Sequence, residues 1–146
     1  MQSVAQILNS KPNHTVWSVA PSAMVLEALK LLADKGVGAL LVMQDERVVG
    51  IVTERDYARK IHLLGRSSDN TPVSAIMTSP VMYVRPDQTN QQCMALMTEN
   101  RLRHLPVMDD GKLVGLISIG DLVKDIISEQ QFIIQQLEHY IMGERA

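Results

Sequence analysis

Two seven-residue segments of the chain repeat one order of residue types that could bind an anion. Gly50–Asp56 reads Gly-Ile-Val-Thr-Glu-Arg-Asp, and Gly115–Asp121 reads Gly-Leu-Ile-Ser-Ile-Gly-Asp. In each segment an apolar stretch typical of a buried strand leads to a hydroxyl residue, and an aspartate follows three positions later. A helix that begins at the hydroxyl residue presents free backbone N–H groups, which suit a phosphate. The aspartate can accept hydrogen bonds from ribose hydroxyls, so the segments predict binding of a ribose and its phosphate.

The same spacing also has a purely structural explanation. Thr53 and Ser118 are suitable helix N-caps, and the aspartates three residues later, Asp56 and Asp121, can fold back to complete a capping box. The two interpretations are compatible, because a cap can exchange partners when a ligand arrives. Retention of aspartate in both segments favours binding, because capping alone would tolerate Glu or Gln at that position.

The two segments belong to an internal repeat. Residues 14–61 align with residues 79–126 at a constant offset of 65, without a gap, and 12 of the 48 pairs are identical. A repeat of roughly 60 residues is only marginally stable alone, so we expect the two repeats to share one core about a pseudo-two-fold axis. The predicted domains are residues 1–66, the first repeat with an N-terminal helix, 73–130, the second repeat, and 131–146, a C-terminal helical extension.

Both repeats follow the order β-α-β-β-α, which predicts an α/β fold of the α+β sandwich type with small sheets and helices. We expect Ser22 and Asp87 to cap the first helix of each repeat and Gly36 and Asn100 to end it in the left-handed conformation. The Asp110-Gly111 pair predicts a tight hairpin. The predicted strands are Val16–Val19, Ala39–Met43, Val48–Val52, Val81–Val84, Leu105–Met108 and Leu113–Ile117.

Composition excludes several classes of protein. The formal charge is −2, the pI is about 6.0 and aromatic residues make up 3%, so we expect no binding to nucleic acid or to an anionic membrane. No apolar run approaches the ~18 residues that cross a bilayer, and no signal segment opens the chain, so we expect a cytoplasmic protein.

No residue pattern indicates catalysis or a metal. The single cysteine, Cys93, aligns with Ala28, so we expect it to pack in the core. The four histidines lack metal-ligand spacing. Neither a catalytic triad, a paired-carboxylate motif nor a P-loop is present, and we therefore expect that the protein is not an enzyme.

The repeat resembles the CBS (cystathionine-β-synthase) domain, and the chain resembles a tandem CBS pair, or Bateman module, of the stand-alone bacterial kind. The resemblance covers about residues 1–130 and rests on the element order, on Pro21 and Pro86, and on the two motif endings described above. It implies a regulatory protein that binds AMP, ADP, ATP or NAD(H) in clefts between the repeats. Two alternatives stay open: a sensor of S-adenosylmethionine, and a ligand-free module for protein–protein interaction.

Carried over by position, the resemblance implies that Asp56 with Thr53, and Asp121 with Ser118, hold ribose and phosphate. The surrounding residues differ between the copies, so we expect two clefts of unequal affinity. Small residues in the first copy suit the approach of a flat base, and cationic residues in the second suit phosphates. The alternative explanation for Arg101 and Arg103 is a solvated surface. The further candidate binding residues are Gly38, Ala39 and Arg55 in the first copy and Arg101, Arg103, His104 and Gly120 in the second.

The last helix, predicted from Ser118 to about Tyr140, is unusually apolar for a C-terminal segment. Part of its surface needs a partner, either the apolar segment around Ile7 or a second subunit, and we expect a homodimer. Since the chain carries no effector domain, we expect it to act on an unidentified effector protein in trans.

Overall fold

The computed structural model describes residues 2–143 and divides the chain into two compact units. One unit is Thr15–Met82, and the other contains the chain up to His14 and from Tyr83 onward. The helices are α1 (Val4–Ser10), α2 (Val25–Lys35), α3 (Glu54–Tyr57), α4 (Asn90–Asn100) and α5 (Ile119–Ile141). The strands are β1 (Ser18–Val19), β2 (Ala39–Gln44), β3 (Arg47–Thr53), β4 (His104–Asp109) and β5 (Lys112–Ser118).

The unit Thr15–Met82 is built on a three-stranded sheet in the order β1-β2-β3. β1 is parallel to β2, and β2 is antiparallel to β3. The turn between β2 and β3 places Asp45 and Glu46 at positive φ, as a tight two-residue hairpin requires. α3 follows β3 directly and continues as a π-helical turn over Ala58–His62. The predicted mixture of small sheets and helices is confirmed in this unit.

The other unit contains the antiparallel pair β4-β5 with α1, α4 and α5. The Asp110-Gly111 turn has both residues at positive φ, which confirms the predicted hairpin. The strand expected over Val81–Val84 is reduced to a single parallel bridge between Val84 and Val107. In the first repeat the corresponding strand is also shorter than expected, because only Ser18–Val19 pairs with β2.

The predicted helix caps need two corrections. Ser22 and Asp87 lie in turns before the helices, whereas α2 starts after Met24 without a side-chain cap. α4 starts after Thr89, whose hydroxyl accepts a hydrogen bond from the Gln92 amide at 3.3 Å. Thr89 is better placed because it immediately precedes the first free amides of the helix.

The left-handed residue that ends the first helix is Gly36 in the first repeat, as predicted, with φ of 64°. In the second repeat it is Arg101, with φ of 54°, and the prediction of Asn100 was wrong. Arg101 is the residue that the repeat offset places opposite Gly36. The fold therefore keeps this backbone conformation even where glycine is replaced by a residue that rarely adopts it.

The N-terminal helix α1 packs on the second repeat. Val4 and Ile7 are 0% and 2% exposed, and both belong to the core that contains Leu105 and Leu122. The Val4 amide also donates a hydrogen bond to the carbonyl of Gln88 at 2.8 Å. α1 therefore completes the core of the unit built from the second repeat.

The segment that precedes the second repeat packs on the first repeat in the same way. Val73 and Ile76 are fully buried in the core formed by α2, β2 and β3, and the Val73 amide donates to the Ala23 carbonyl at 2.8 Å. The bounds of the compact units, one of which is Thr15–Met82, therefore differ from those of the predicted domains 1–66 and 73–130. Apolar contacts between residues far apart in the chain set these bounds.

α5 is the longest helix, with 23 residues, and it ends one residue beyond the predicted end. Leu122 and Asp125 in its first half are buried, whereas every residue from Gln130 to Ile141 is exposed. Residues 144–146 of the predicted extension 131–146, like residue 1 of the predicted first domain, lie outside the described residues. No helix within residues 2–143 is long and apolar enough to span a membrane.

Candidate functional site

The motif of the first repeat forms a capping box at the junction of β3 and α3. The Thr53 hydroxyl accepts a hydrogen bond from the Asp56 amide at 3.1 Å, and Asp56 Oδ2 accepts from the Thr53 amide at 3.0 Å. The structural interpretation of the spacing is therefore confirmed here. The same contacts hold the carboxylate beside the first free amides of the helix, where an anion would also bind.

Both carboxylate oxygens of Asp56 have partners within its own unit. Its Oδ1 lies 3.3 Å from the Lys60 ammonium and accepts a hydrogen bond from the Thr78 hydroxyl, also at 3.3 Å. The Lys60 ammonium donates as well to the Ile76 carbonyl at 2.9 Å. With both oxygens engaged and only 9% of the residue exposed, Asp56 must exchange partners before it can receive a ligand.

The motif of the second repeat forms the equivalent capping box at the junction of β5 and α5. Ser118 Oγ accepts from the Asp121 amide at 3.2 Å, and Asp121 Oδ2 accepts from the Ser118 amide at 2.8 Å. The cation that neutralises Asp121 comes from the N-terminal segment, because the Lys11 ammonium lies 2.9 Å from Oδ2. Lys11 also donates to the Leu116 carbonyl at 3.0 Å.

The two aspartates differ in the acceptor capacity that they leave unused. Within the part of the chain that the structure describes, every hydrogen bond and ion pair of the Asp121 carboxylate is to Oδ2. Oδ1 of Asp121 is thus available to a new donor, whereas Oδ1 of Asp56 already has two partners. The side chain of Asp121 is 19% exposed, which leaves it reachable from outside.

Asp121 lines a cavity of about 240 Å³ in the unit of the second repeat. The lining residues, several of them charged or polar, are Gln2, Ile7, Ser10, Lys11, Pro12, Asp121, Lys124, Asp125 and Ser128. Pockets that bury a whole small molecule usually measure about 300–1,000 Å³. This cavity is therefore large enough for part of such a molecule, and its lining includes two lysines, Lys11 and Lys124, and two carboxylates, Asp121 and Asp125.

The structure brings the loop before each central strand next to the motif. Ala39 pairs with Thr53 in the sheet, and the Gly38 carbonyl accepts a hydrogen bond from the Glu54 amide at 3.3 Å. In the second repeat, His104 pairs with Ser118. The Arg103 carbonyl accepts from the Ile119 amide at 2.9 Å. These predicted residues are thus neighbours of the helix starts, and their role in binding stays a prediction.

The remaining predicted residues lie at the surface. Arg55, Arg101 and Arg103 are exposed, and Gly120 is exposed in the first turn of α5. A Cβ at Gly120 would lie 3.6 Å from Ser118 Oγ, an ordinary contact, so the local packing does not require glycine there. The role of these three arginines in binding stays a prediction.

The lysine counterions and Thr78 were missed by the sequence prediction. Lys60 could have been found, because it stands four residues after Asp56 on the same helical face. Lys11 lies 110 residues from Asp121, and Thr78 lies 22 residues from Asp56, so no local spacing reveals them.

The glycine at the start of each motif leaves room for a side chain of the segment that packs across the strand. A Cβ at Gly115 would lie 2.9 Å from the Leu8 side chain of α1, and a Cβ at Gly50 would collide with Met77. A larger residue at either position would force the Leu8 or Met77 side chain to shift. The two side chains belong to the segments that also carry Lys11 and Thr78.

Cys93 is fully buried in the core of the second repeat, as expected for a packing residue. Burial raises the pKa of the Cys93 thiol, so it stays protonated and unreactive at neutral pH. Among residues 2–143, no group of three or more His, Cys, Asp or Glu side chains could hold a metal ion.

Comparison with protein families decides the relationship that these motifs suggest. The model of the CBS domain matches the chain twice, over residues 4–63 and 73–128. The chain belongs to the CBS domain family. Both matches include the capping-box motif of their repeat, so the predicted resemblance is confirmed.

Known CBS proteins include near relatives of this chain. The structure of a protein with CBS domains from Burkholderia ambifaria MC40-6 is 57% identical, has a TM-score of 0.86, and the match covers 88% of this chain and 96% of that one. The mitochondrial CBS domain-containing protein CBSX3 of Arabidopsis thaliana is 42% identical over 124 residues, which cover 82% of this chain. The match spans 60% of CBSX3, less than two thirds of its length.

One solved structure of the family contains a nucleotide. The CBS domain protein PAE2072 from Pyrobaculum aerophilum, complexed with AMP, is 26% identical and has a TM-score of 0.72. The match covers 82% of this chain and 89% of that one. A CBS domain protein similar to this chain is therefore able to bind AMP.

Proposed function

We propose that this CBS protein is a regulatory sensor of adenine nucleotides and that AMP is its first candidate ligand. The observation that carries the proposal is Asp121, whose Oδ1 is free of hydrogen bonds to the described residues while its carboxylate lines a cavity. The AMP complex of PAE2072 supports the choice of ligand class.

The chemistry of the second-repeat site matches a ribose with a phosphate. Asp121 can accept hydrogen bonds from ribose hydroxyls through Oδ1. The start of α5 carries the positive end of a 23-residue helix dipole, which favours a phosphate near Ser118. Lys11 and Lys124 line the same cavity, where their positive charge balances the negative charge of Asp121 and Asp125.

The first-repeat site is expected to bind more weakly. A ligand at Asp56 must displace Lys60 or Thr78 from Oδ1, and the hydrogen bonds that are lost offset those that are gained. We therefore propose unequal sites, with the second repeat filled first.

Regulation would follow from a difference in affinity between two conformations of the protein, because a ligand shifts an equilibrium only by its differential affinity. The protein would then act as a non-catalytic, cytoplasmic homodimer on an effector protein in trans. NAD(H) and S-adenosylmethionine are the competing adenosyl ligands. A ligand-free interaction module is the competing function, and the complete set of hydrogen bonds around Asp56 favours it for the first repeat.

Thermal unfolding against a ligand panel tests the proposal. The panel contains AMP, ADP, ATP, NAD, NADH, S-adenosylmethionine and GTP, added to protein stripped of bound nucleotide by unfolding and refolding. Ligand at 100 times its Kd stabilises the protein by about 2.7 kcal/mol, which raises the Tm by several degrees. The proposal predicts a rise with adenine nucleotides and none with GTP. An unchanged Tm across the panel would instead favour the interaction module.

A further inference from the structure

α5 carries an apolar stripe that is exposed along most of the length of the helix. Five aliphatic side chains on one side of the helix are between 42% and 79% exposed, which is unusual for a continuous apolar stripe on a monomer. They are Val123, Ile127, Ile134, Leu137 and Ile141.

The spacing of these residues is that of a coiled coil. Together with Gln130 they occur at alternating steps of four and three residues, the spacing of a and d positions in a heptad. We call these six residues the seam. A single polar residue in such a seam is a common way to fix the register of two helices.

The seam is distinct from the face of α5 that packs on its own unit. Leu122 is fully buried and its neighbour Val123 is 42% exposed. Consecutive residues of an α-helix point about 100° apart, since 3.6 residues complete a turn. The first half of α5 is thus anchored through Leu122 and Asp125, and the seam starts on that anchored part.

We propose that two copies of the chain pair through this seam with their α5 helices antiparallel. This inference rests on the homodimer of the proposed function and is tested without nucleotide. One register places an aliphatic residue in every layer, with each polar Gln130 opposite an isoleucine. The layers are Val123 with Ile141, Ile127 with Leu137, and Gln130 with Ile134, each between one copy and the other.

Charge favours the antiparallel orientation. In that register Lys124 of one copy lies beside Glu138 of the other on one flank of the seam. The two-fold symmetry of the dimer forms this pair twice. The two residues are 14 positions apart in one helix, roughly 21 Å, so they cannot pair within a chain. In a parallel pair, the flanking positions that face Lys124 and Glu138 carry no opposite charge.

The opposite flank is apolar and is also matched by the antiparallel register. It consists of Ile126, Ile133 and Tyr140. The pairing places Ile126 beside Tyr140 of the other copy and the two Ile133 side chains beside each other. Tyr140 is 83% exposed in the single chain, and pairing would cover it.

The seam is tested by the molar mass in sedimentation equilibrium, with Leu137→Asp compared with Phe132→Asp. Leu137 is in the seam, whereas Phe132 is 61% exposed on another side of the helix and serves as the matched control. Because neither residue is buried, both variants should fold, which circular dichroism checks. We expect the seam variant to weaken dimerisation roughly 100-fold or more, because each copy buries an unpaired carboxylate, and the control to remain dimeric.

The outcomes separate the two proposals. A monomeric wild type would overturn both the homodimer and the helix pairing. A dimeric wild type that Leu137→Asp leaves unchanged would keep the homodimer and overturn the seam. Nucleotide is absent from these measurements, so their result does not depend on the sensor function.

Orientation is tested by exchanging the flanking charges. Glu138→Lys places a lysine beside Lys124 of the other copy, and the symmetry of the dimer repeats this repulsion. The variant should therefore weaken the dimer roughly 3- to 10-fold at low salt. Adding Lys124→Glu should restore the wild-type affinity. If the double variant is as weak as the product of the two single variants, the antiparallel register is wrong.

Cross-linking gives a second test of orientation. In a Cys93→Ala background, an antiparallel pair places the two copies of residue 131 side by side and the two copies of residue 138 roughly 21 Å apart. A short bismaleimide should therefore join Gln131→Cys and leave Glu138→Cys unlinked. Equal yields at both positions would indicate parallel helices and contradict the proposal.

Discussion

Replacing Asp121 with asparagine separates ligand binding from helix capping. The change preserves the size of the side chain and an oxygen that can accept from the Ser118 amide. In the wild type this amide lies 2.8 Å from Asp121 Oδ2. It removes the negative charge and one acceptor. If Asp121 holds a ribose hydroxyl through Oδ1, one charge-assisted hydrogen bond is replaced by a contact with the asparagine –NH2 group, which cannot accept a hydrogen bond.

The magnitude follows from the contacts at this site. A hydrogen bond to a charged group contributes about 1.5–3 kcal/mol, so the variant should lose about 1.5–3 kcal/mol of binding free energy. This corresponds to an AMP affinity lower by about 10- to 150-fold. Loss of the Lys11 ion pair, whose side chains are 26% and 19% exposed, and a weaker cap should lower the unfolding free energy by about 1–2 kcal/mol.

Isothermal titration of AMP into nucleotide-free protein measures the affinity, and urea unfolding measures the stability. Asp87→Asn is the matched control, because it makes the same chemical change on a side chain that is 78% exposed and outside the motif. A variant at Asp121 that is less stable but binds AMP with wild-type affinity would refute the ribose assignment. The aspartate would then be only a capping residue.

Three further predictions concern contacts that the structure adds to the motif. Lys11→Met should lower the unfolding free energy in urea more than Lys60→Met, because the Lys11 pair is shorter, at 2.9 Å against 3.3 Å, and the Lys11 side chain is 26% exposed against 39% for Lys60; equal losses would contradict this ranking. Ile7→Ala should lower the unfolding free energy by about 2–5 kcal/mol, as expected for a residue buried in the core, and a loss below 1 kcal/mol would show that α1 is not part of that core. Burial raises the pKa of Cys93 above its ordinary value of 9.0, so the thiol contributes stability that is complete below the unfolded pKa and is lost as the pH rises through the folded pKa. Between pH 7 and 10 the unfolding free energy measured in urea should therefore fall more steeply with pH for the wild type than for Cys93→Ala. Parallel curves would exclude this contribution.

The local parts of the fold could be predicted because short-range chemistry determines them. Thr53 and Ser118 cap their helices as the motif spacing predicted, since each hydroxyl needs only an amide three residues away. The Asp110-Gly111 turn forms because both residues accept positive φ. Arg101 was missed for the opposite reason: an arginine in the left-handed conformation follows from the shape of the repeat and not from its own preference.

Contacts between distant parts of the chain could not be predicted from residue patterns. The periodicity of α1 indicated an amphipathic helix, and either repeat could have received its apolar face. In the structure Leu8 packs against β5 at Gly115, and Val4 and Ile7 are buried in the core of the second repeat. The same packing delivers Lys11 to Asp121, so the ion pair became visible only with the tertiary structure.

The central claim is that an adenine nucleotide binds with its ribose on the motif aspartates, and a crystal structure of the protein grown with AMP tests it most directly. The account predicts AMP with a ribose hydroxyl at about 2.6–3.2 Å from Asp121 Oδ1 and its phosphate near Ser118. AMP bound with its ribose away from both Asp121 and Asp56, or no AMP at saturating concentration, would contradict it.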